Sequence, residues 1–114
     1  MVVNGGILDV MQLIAGDSAG KKFAKIVVGT SGNPVVGTET ALENQVAKDI
    51  ETFNVLAGGF IQFNSTLQAG DPAMVIKEMG LLNDAGILCY RQVITPQNKV
   101  TGVTYSINYK IKIQ

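Results

Sequence analysis

The sharpest pattern in the chain lies at its C-terminal end. Val103, Tyr105, Ile107, Tyr109, Ile111 and Ile113 are apolar, while Thr104, Ser106, Asn108, Lys110, Lys112 and Gln114 are polar. So regular a period of two fits no helix of period 3.6, so residues 103–113 are expected to form one long strand with a buried and a wet face. At about 3.3 Å per residue it would span roughly 35 Å, enough to cross a sandwich or reach a neighbouring molecule. The strand is expected in the sheet interior with its last residues near a subunit interface. Tyr109, Ile111 and Ile113 are the candidate contacts, and Lys110 and Lys112 guard the wet face.

Elsewhere the pattern changes period. Ile7, Val10, Met11 and Ile14 follow i, i+3, i+4, i+7 spacing, which predicts a short helix with Asn4 as cap and Gly16 as stop. Phe23 to Val28 reads as a strand, and the Gly- and Pro-bearing segment 29–37 as a loop. Thr38 opens a candidate helical turn through Leu42. Apolar residues alternate weakly from Asp49 to Val55, then Gly58-Gly59 precedes a second run, Phe60 to Leu67, which predicts a hairpin. Gly70-Asp71-Pro72 is a loop. Met74 to Leu82 predicts a strand interrupted at Gly80, and Asn83-Asp84-Ala85-Gly86 a reverse turn. Ile87 to Ile94 is the return strand, with a further turn around Pro96. The expected fold is mainly β with a short N-terminal helix: one domain, residues 1–114, an antiparallel β-sandwich of about six strands.

Composition narrows the function classes. Hydrophobic residues make up 46% of the chain and charged residues 16%, which argues against disorder and leaves apolar surface for a partner. Nine basic and nine acidic residues cancel, and no basic run exceeds Lys21-Lys22, so no nucleic-acid footprint is present. The dispersed charges are expected on solvated faces. No run approaches the ~20 apolar residues of a membrane span, and no signal-peptide pattern opens the chain. Cys89 is the one cysteine, in the apolar run Ile87-Leu88-Cys89-Tyr90, and is expected to be a buried thiol in a reducing compartment.

Catalytic chemistry finds little purchase. Histidine is absent, which removes histidine-based triads, the commonest general acid/base and the usual zinc ligands. The pairs Glu39/Glu43 and Asp49/Glu51 are most simply solvent-facing. Residues 15–22, Ala15-Gly16-Asp17-Ser18-Ala19-Gly20-Lys21-Lys22, approach a phosphate-binding loop but lack its first glycine and its Ser/Thr. No window offers a calcium loop. No enzyme activity, metal or cofactor is expected.

The order of segments and one block within it carry a resemblance. The strand Phe23-Ala24-Lys25-Ile26-Val27-Val28-Gly29-Thr30 leads through a Gly/Pro loop to Thr40-Ala41-Leu42-Glu43-Asn44-Gln45-Val46. Later comes Ile76-Lys77-Glu78-Met79-Gly80-Leu81-Leu82-Asn83-Asp84-Ala85-Gly86-Ile87-Leu88. Together these resemble the N-terminal attachment domain of bacteriophage tail-collar fibre proteins. The block implies structural roles: Ile76, Leu81 and Leu88 in the core, Gly80 at a bulge or close approach, and Gly86 closing the turn. Glu78 is left with two readings, a buried charge that is paired or caps backbone donors, or an exposed carboxylate.

The sequence stops at Gln114, where fibre proteins continue into a shaft, so the expectation is an adaptor, collar or decoration subunit. The implied function is that of a non-enzymatic phage virion protein, made in the cytoplasm of a bacterial host. It would assemble with itself and with other virion proteins of the tail, baseplate or neck. A small carbohydrate- or ligand-binding β module and a capsid decoration protein are the alternatives.

Overall fold

The computed structural model describes residues 3–16 and 21–112. Within them one helix, α1 (Asn4–Ala15), precedes seven strands: β1 (Phe23–Gly29), β2 (Val46–Asp49), β3 (Thr52–Leu56), β4 (Phe60–Leu67), β5 (Met74–Asn83), β6 (Leu88–Lys99) and β7 (Tyr105–Lys112). Two antiparallel sheets, ordered β2-β1-β5-β6 and β3-β4-β7, pack face to face. The mainly β sandwich with an N-terminal helix is therefore present. It has seven strands because the segment 49–55 is not one strand. Ile50 N–H donates to Ala24 O of β1 (2.9 Å), and the next residue, Glu51, donates to Asn64 O of β4 (2.9 Å). The chain leaves one sheet and joins the other between consecutive residues.

The core lies between the sheets. Alternation along β1 and β7 turns Ile26 and Val28 toward Ile107, Tyr109 and Ile111, with Leu67 of β4 and Ile76, Met79 and Leu81 of β5 filling the layer. The other face of the larger sheet is covered too. Val27, Leu82 and Leu88 pack there with Val3 and Leu42. Burial on both faces explains why residues 26–29 of β1 and 79–82 of β5 are continuous apolar runs rather than alternating ones.

The β5–β6 hairpin departs from expectation at two points. Gly80 does not interrupt β5, because it pairs with Val27 on one side and Arg91 on the other. Pro96 makes no turn, because β6 runs on to Lys99. Ile76 pairs with Gln97 and Glu78 with Val93, so β6 carries two extra residues there, and Pro96 sits in that irregularity on an edge strand. That is where a residue without an N–H is tolerated in a sheet. The turn follows instead at residues 100–102, with Gly102 at φ 88°.

Two further expectations are corrected. α1 buries Gly6 and Val10, and half-buries Leu13, while Ile7, Met11 and Ile14 are exposed. Gly6 decides the rotation. A Cβ there would lie 2.5 Å from Cys89 Cα, so its absence lets the helix lie against β6 on that face. Val3, not Asn4, is the N-cap, with no side-chain cap bond, and Gly16 stops the helix at φ 72° as expected. Residues 38–42 form no helical turn.

β7 begins at Tyr105 rather than Val103 and is an edge strand, paired with β4 alone. Its alternation is intact, with Ile107, Tyr109 and Ile111 buried and Ser106, Asn108, Lys110 and Lys112 exposed.

Candidate functional site

Two features stand out once the fold is assembled: a buried ionic latch on the outer face of the larger sheet, and an apolar groove between the sheets.

The latch is built from residues far apart in sequence. Glu78 is 1% exposed, and its Oε1 accepts from Arg91 Nε at 2.7 Å across the β5–β6 hairpin. Its Oε2 accepts the backbone N–H groups of Ser31 (2.7 Å) and Glu43 (3.0 Å). Arg91, 3% exposed, reaches Glu39 Oε2 through Nη1 (3.2 Å) and the carbonyls of Asn33 (3.0 Å) and Ser31 (3.4 Å) through Nη2. Glu39 in turn accepts from Gly37 N–H and Val36 N–H. One carboxylate and one guanidinium thus tie both arms of the connection 30–45 to the sheet. Each charge has a partner, the condition under which buried charge is tolerated. Of the two readings of Glu78, the paired and donor-capping one is observed.

Charges expected on solvated faces are therefore partly internal. Glu39, Glu78, Arg91 and also Lys99 are drawn in, the last donating to Asp71 O (3.2 Å) and Val100 O (2.9 Å). Arg91 carried no warning beyond its place after the apolar run Ile87-Leu88-Cys89-Tyr90, and Lys99, which follows Gln97 and Asn98, carried none.

Every residue of the block 76–88 has a structural position. Ile76 and Leu81 are buried between the sheets, and Leu88 beneath α1 and the connection 30–45. A Cβ at Gly80 would lie 2.5 Å from Tyr90 O, so the close approach is real. Gly86 closes the turn at φ 77°, with Asn83 Oδ1 accepting from Ala85 and Ile87 N–H. Cys89 is buried, and burial, with Asp9 nearby, raises its thiol to about 11.

Two of the three candidate contacts of β7 face inward. Tyr109 and Ile111 are 3% and 6% exposed and pack within the chain's own core, because they occupy the inner face of β7. Ile113 lies outside the described residues, as do residues 17–20 of the phosphate-loop look-alike.

The groove is the larger feature, with a volume of about 750 Å³. Val10, Leu13 and Ile14 of α1 form one wall, Phe53 and Val55 of β3 the other, and Phe23, Phe63 and Tyr90 lie between them. The aromatic rings bridge the two sheets. Phe23 meets Phe63 and Tyr90 edge-on, at 5.6 and 5.7 Å between centroids. The walls continue onto the surface, where Phe53 is 65% and Val55 78% exposed. Comparison with known proteins finds no matching family model, no matching curated protein and no matching solved structure.

The groove's chemistry thus has to be read from its own side chains. Its polar members are few: Lys22, Glu51, Thr52 and Asp84. Glu51 is engaged by Thr66 Oγ1 at 2.8 Å. Among the described residues no group of His, Cys, Asp and Glu is placed to hold a metal ion, and no helix is long and apolar enough to cross a membrane. What the groove offers is apolar area beside an open sheet edge, which is suited to association.

Proposed function

We propose that this chain is a non-enzymatic structural subunit of a phage-type virion, an assembly or adaptor protein of the tail, baseplate or neck. The reading rests chiefly on the apolar surface that runs from α1 across the groove to β3. A contiguous apolar patch of this kind marks an interaction site more often than a free surface. The phage assignment rests on the resemblance of the segment order and of the block 76–88 to tail-fibre attachment domains. Its mechanism is burial of apolar surface and strand pairing, without turnover. A capsid or particle decoration protein is a variant of the same reading, and virion localisation after synthesis in a bacterial cytoplasm goes with it.

Light scattering and negative-stain microscopy of the purified chain test the proposal. Discrete oligomers that co-sediment with phage particles are expected. A monomer at every concentration that joins no particle would overturn it.

The groove volume favours one second reading, a small-ligand-binding β module. Pockets of roughly 300–1,000 Å³ with apolar and aromatic linings suit small molecules. Four of the lining residues here, Phe23, Phe53, Phe63 and Tyr90, are aromatic. Saturable binding of an apolar fluorescent probe by a chain that stays monomeric, or glycan-array binding, would favour this reading over assembly.

A further inference from the structure

The sandwich has four sheet edges among the described residues, and three of them are defended. β2 has four residues and carries Lys48 and Asp49. β6 carries Pro96 within a register irregularity. β7 carries Lys110 and Lys112. Short length, proline, irregularity and lysine are the devices that keep edges from pairing. β3, with the sequence Thr52-Phe53-Asn54-Val55-Leu56, has neither charge nor proline, is exposed throughout and pairs with β4 alone.

We infer that β3 pairs with β3 of a second copy of this chain, antiparallel about Asn54, in a two-fold dimer. This inference rests on the assembly reading above and names the partner for it. The sequence is self-complementary in that register. Thr52 comes opposite Leu56, Phe53 opposite Val55 and Asn54 opposite Asn54, and the flanking Glu51 comes opposite Ala57. No like charges meet, and an aromatic residue facing a β-branched one is a stabilising cross-strand pair. The two three-stranded sheets become one sheet of six, and the patch meets itself, as an isologous interface requires.

The edge carries apolar area for such a contact. Phe53, Val55 and Leu56 of β3, with Ile14 of α1 across the groove, are 37–78% exposed. At roughly 60–120 Å² for a fully exposed aliphatic side chain and ~200 Å² for an aromatic one, they offer roughly 300 Å² of apolar surface. A standard interface buries about 800 Å² per partner, of which about 57% is apolar, or roughly 450 Å². The supply at the edge is about two-thirds of that demand, which suits a small two-fold interface.

The test uses the full chain. Asn54 is exposed, and Asn54→Lys places two ammonium groups opposite each other at the centre of the proposed ladder without touching the groove. Wild type is expected to be dimeric by light scattering. Asn54→Lys should raise the dimer dissociation constant on the order of a hundredfold with an unchanged circular-dichroism spectrum. Asn54→Cys should form an intermolecular disulfide under mild oxidation, because directly opposed Cα atoms lie about 4.5–5.5 Å apart, within disulfide reach. Asn108→Cys on β7 should not.

A dimer that Asn54→Lys leaves intact would overturn β3 pairing while leaving the assembly reading standing. A β3-linked dimer that binds no phage particle would do the reverse. A monomeric wild type whose Asn54→Cys variant does not cross-link would overturn the pairing outright.

Discussion

Arg91 Nε lies 2.7 Å from Glu78 Oε1, with both side chains inside the protein and one strand pairing between them. Further hydrogen bonds from both reach the connection 30–45, so the pair acts as a latch as well as a cross-strand contact. Replacing one member of a buried pair strands the other. Glu78→Ala should therefore cost about 3–5 kcal/mol, measured by urea unfolding. It leaves Arg91 without its closest carboxylate and the Ser31 and Glu43 N–H groups without acceptors. The double replacement Glu78→Met with Arg91→Met should cost clearly less than the two single ones summed, because it leaves no uncompensated charge. Additive losses would show that the two residues act separately.

Glu39 makes the latch sensitive to acid. Burial alone would raise its carboxyl, but the N–H groups of its own backbone, Val36 and Gly37, together with Arg91, outweigh this and hold it below the ordinary 4.5. A carboxylate depressed in the folded state contributes stability that is present above its unfolded value and lost as pH falls through its folded one. Wild type should thus lose part of its stability as pH falls below about 4.5, and Glu39→Gln should flatten that part of the curve while lowering stability at neutral pH. Urea midpoints measured across that range decide it. Parallel curves for the two proteins would remove Glu39 from the acid transition.

The block 76–88 contains two glycines with different demands, and substitution separates them. At Gly80 a Cβ meets the backbone oxygen of Tyr90 at 2.5 Å and Leu88 Cδ1 at 2.9 Å, so the sheet itself has to shift. At Gly86 the space is open and only the positive φ of 77° resists a side chain. Gly86→Ala should cost about 1–2 kcal/mol, the left-handed penalty for one residue. Gly80→Ala should cost more, with overpacking of ~1–3 kcal/mol as a floor because backbone cannot rotate away. Equal shifts in thermal midpoint would show that β6 yields at Tyr90.

What was legible in the sequence followed from local signals. The alternation of residues 105–112, the Gly58-Gly59 hairpin and the turn at Asn83–Gly86 are each set by neighbours in the chain, and each is present. The failures share one cause, a partner distant in sequence. Of the four apolar residues at helical spacing only Val10 lies on the buried face of α1, because Gly6 meets Cys89, and a glycine adds nothing to an apolar count. Pro96 signalled a turn, since the β5 register that absorbs it as an irregularity is set elsewhere. Tyr109 and Ile111 looked available because alternation says which residues share a face, not what covers it. The candidate site was visible only in fragments: Phe53 and Val55 were seen alternating, but nothing local said that their strand would be an unguarded edge. The latch was half visible: Glu78 was singled out, Glu39 was read as solvent-facing, and Arg91 drew no notice.

Tyr109 supplies the last prediction. Its ring is buried opposite Phe63 of β4, and its hydroxyl has no hydrogen-bond partner among the described residues. Burial, with Tyr90 nearby, holds the phenol far above its ordinary value of 10. A buried hydroxyl that gave up water without gaining a partner costs about 1–3 kcal/mol, whereas the ring's contacts with Ile26, Val28 and their neighbours do not need it. Tyr109→Phe should therefore stabilise the protein, raising the thermal midpoint by several degrees, at about 4–8 °C per kcal/mol for a domain near this size. Most single substitutions destabilise, so a gain at a buried site would be diagnostic. A drop instead would mean that the hydroxyl is satisfied in solution, by an ordered water between the sheets.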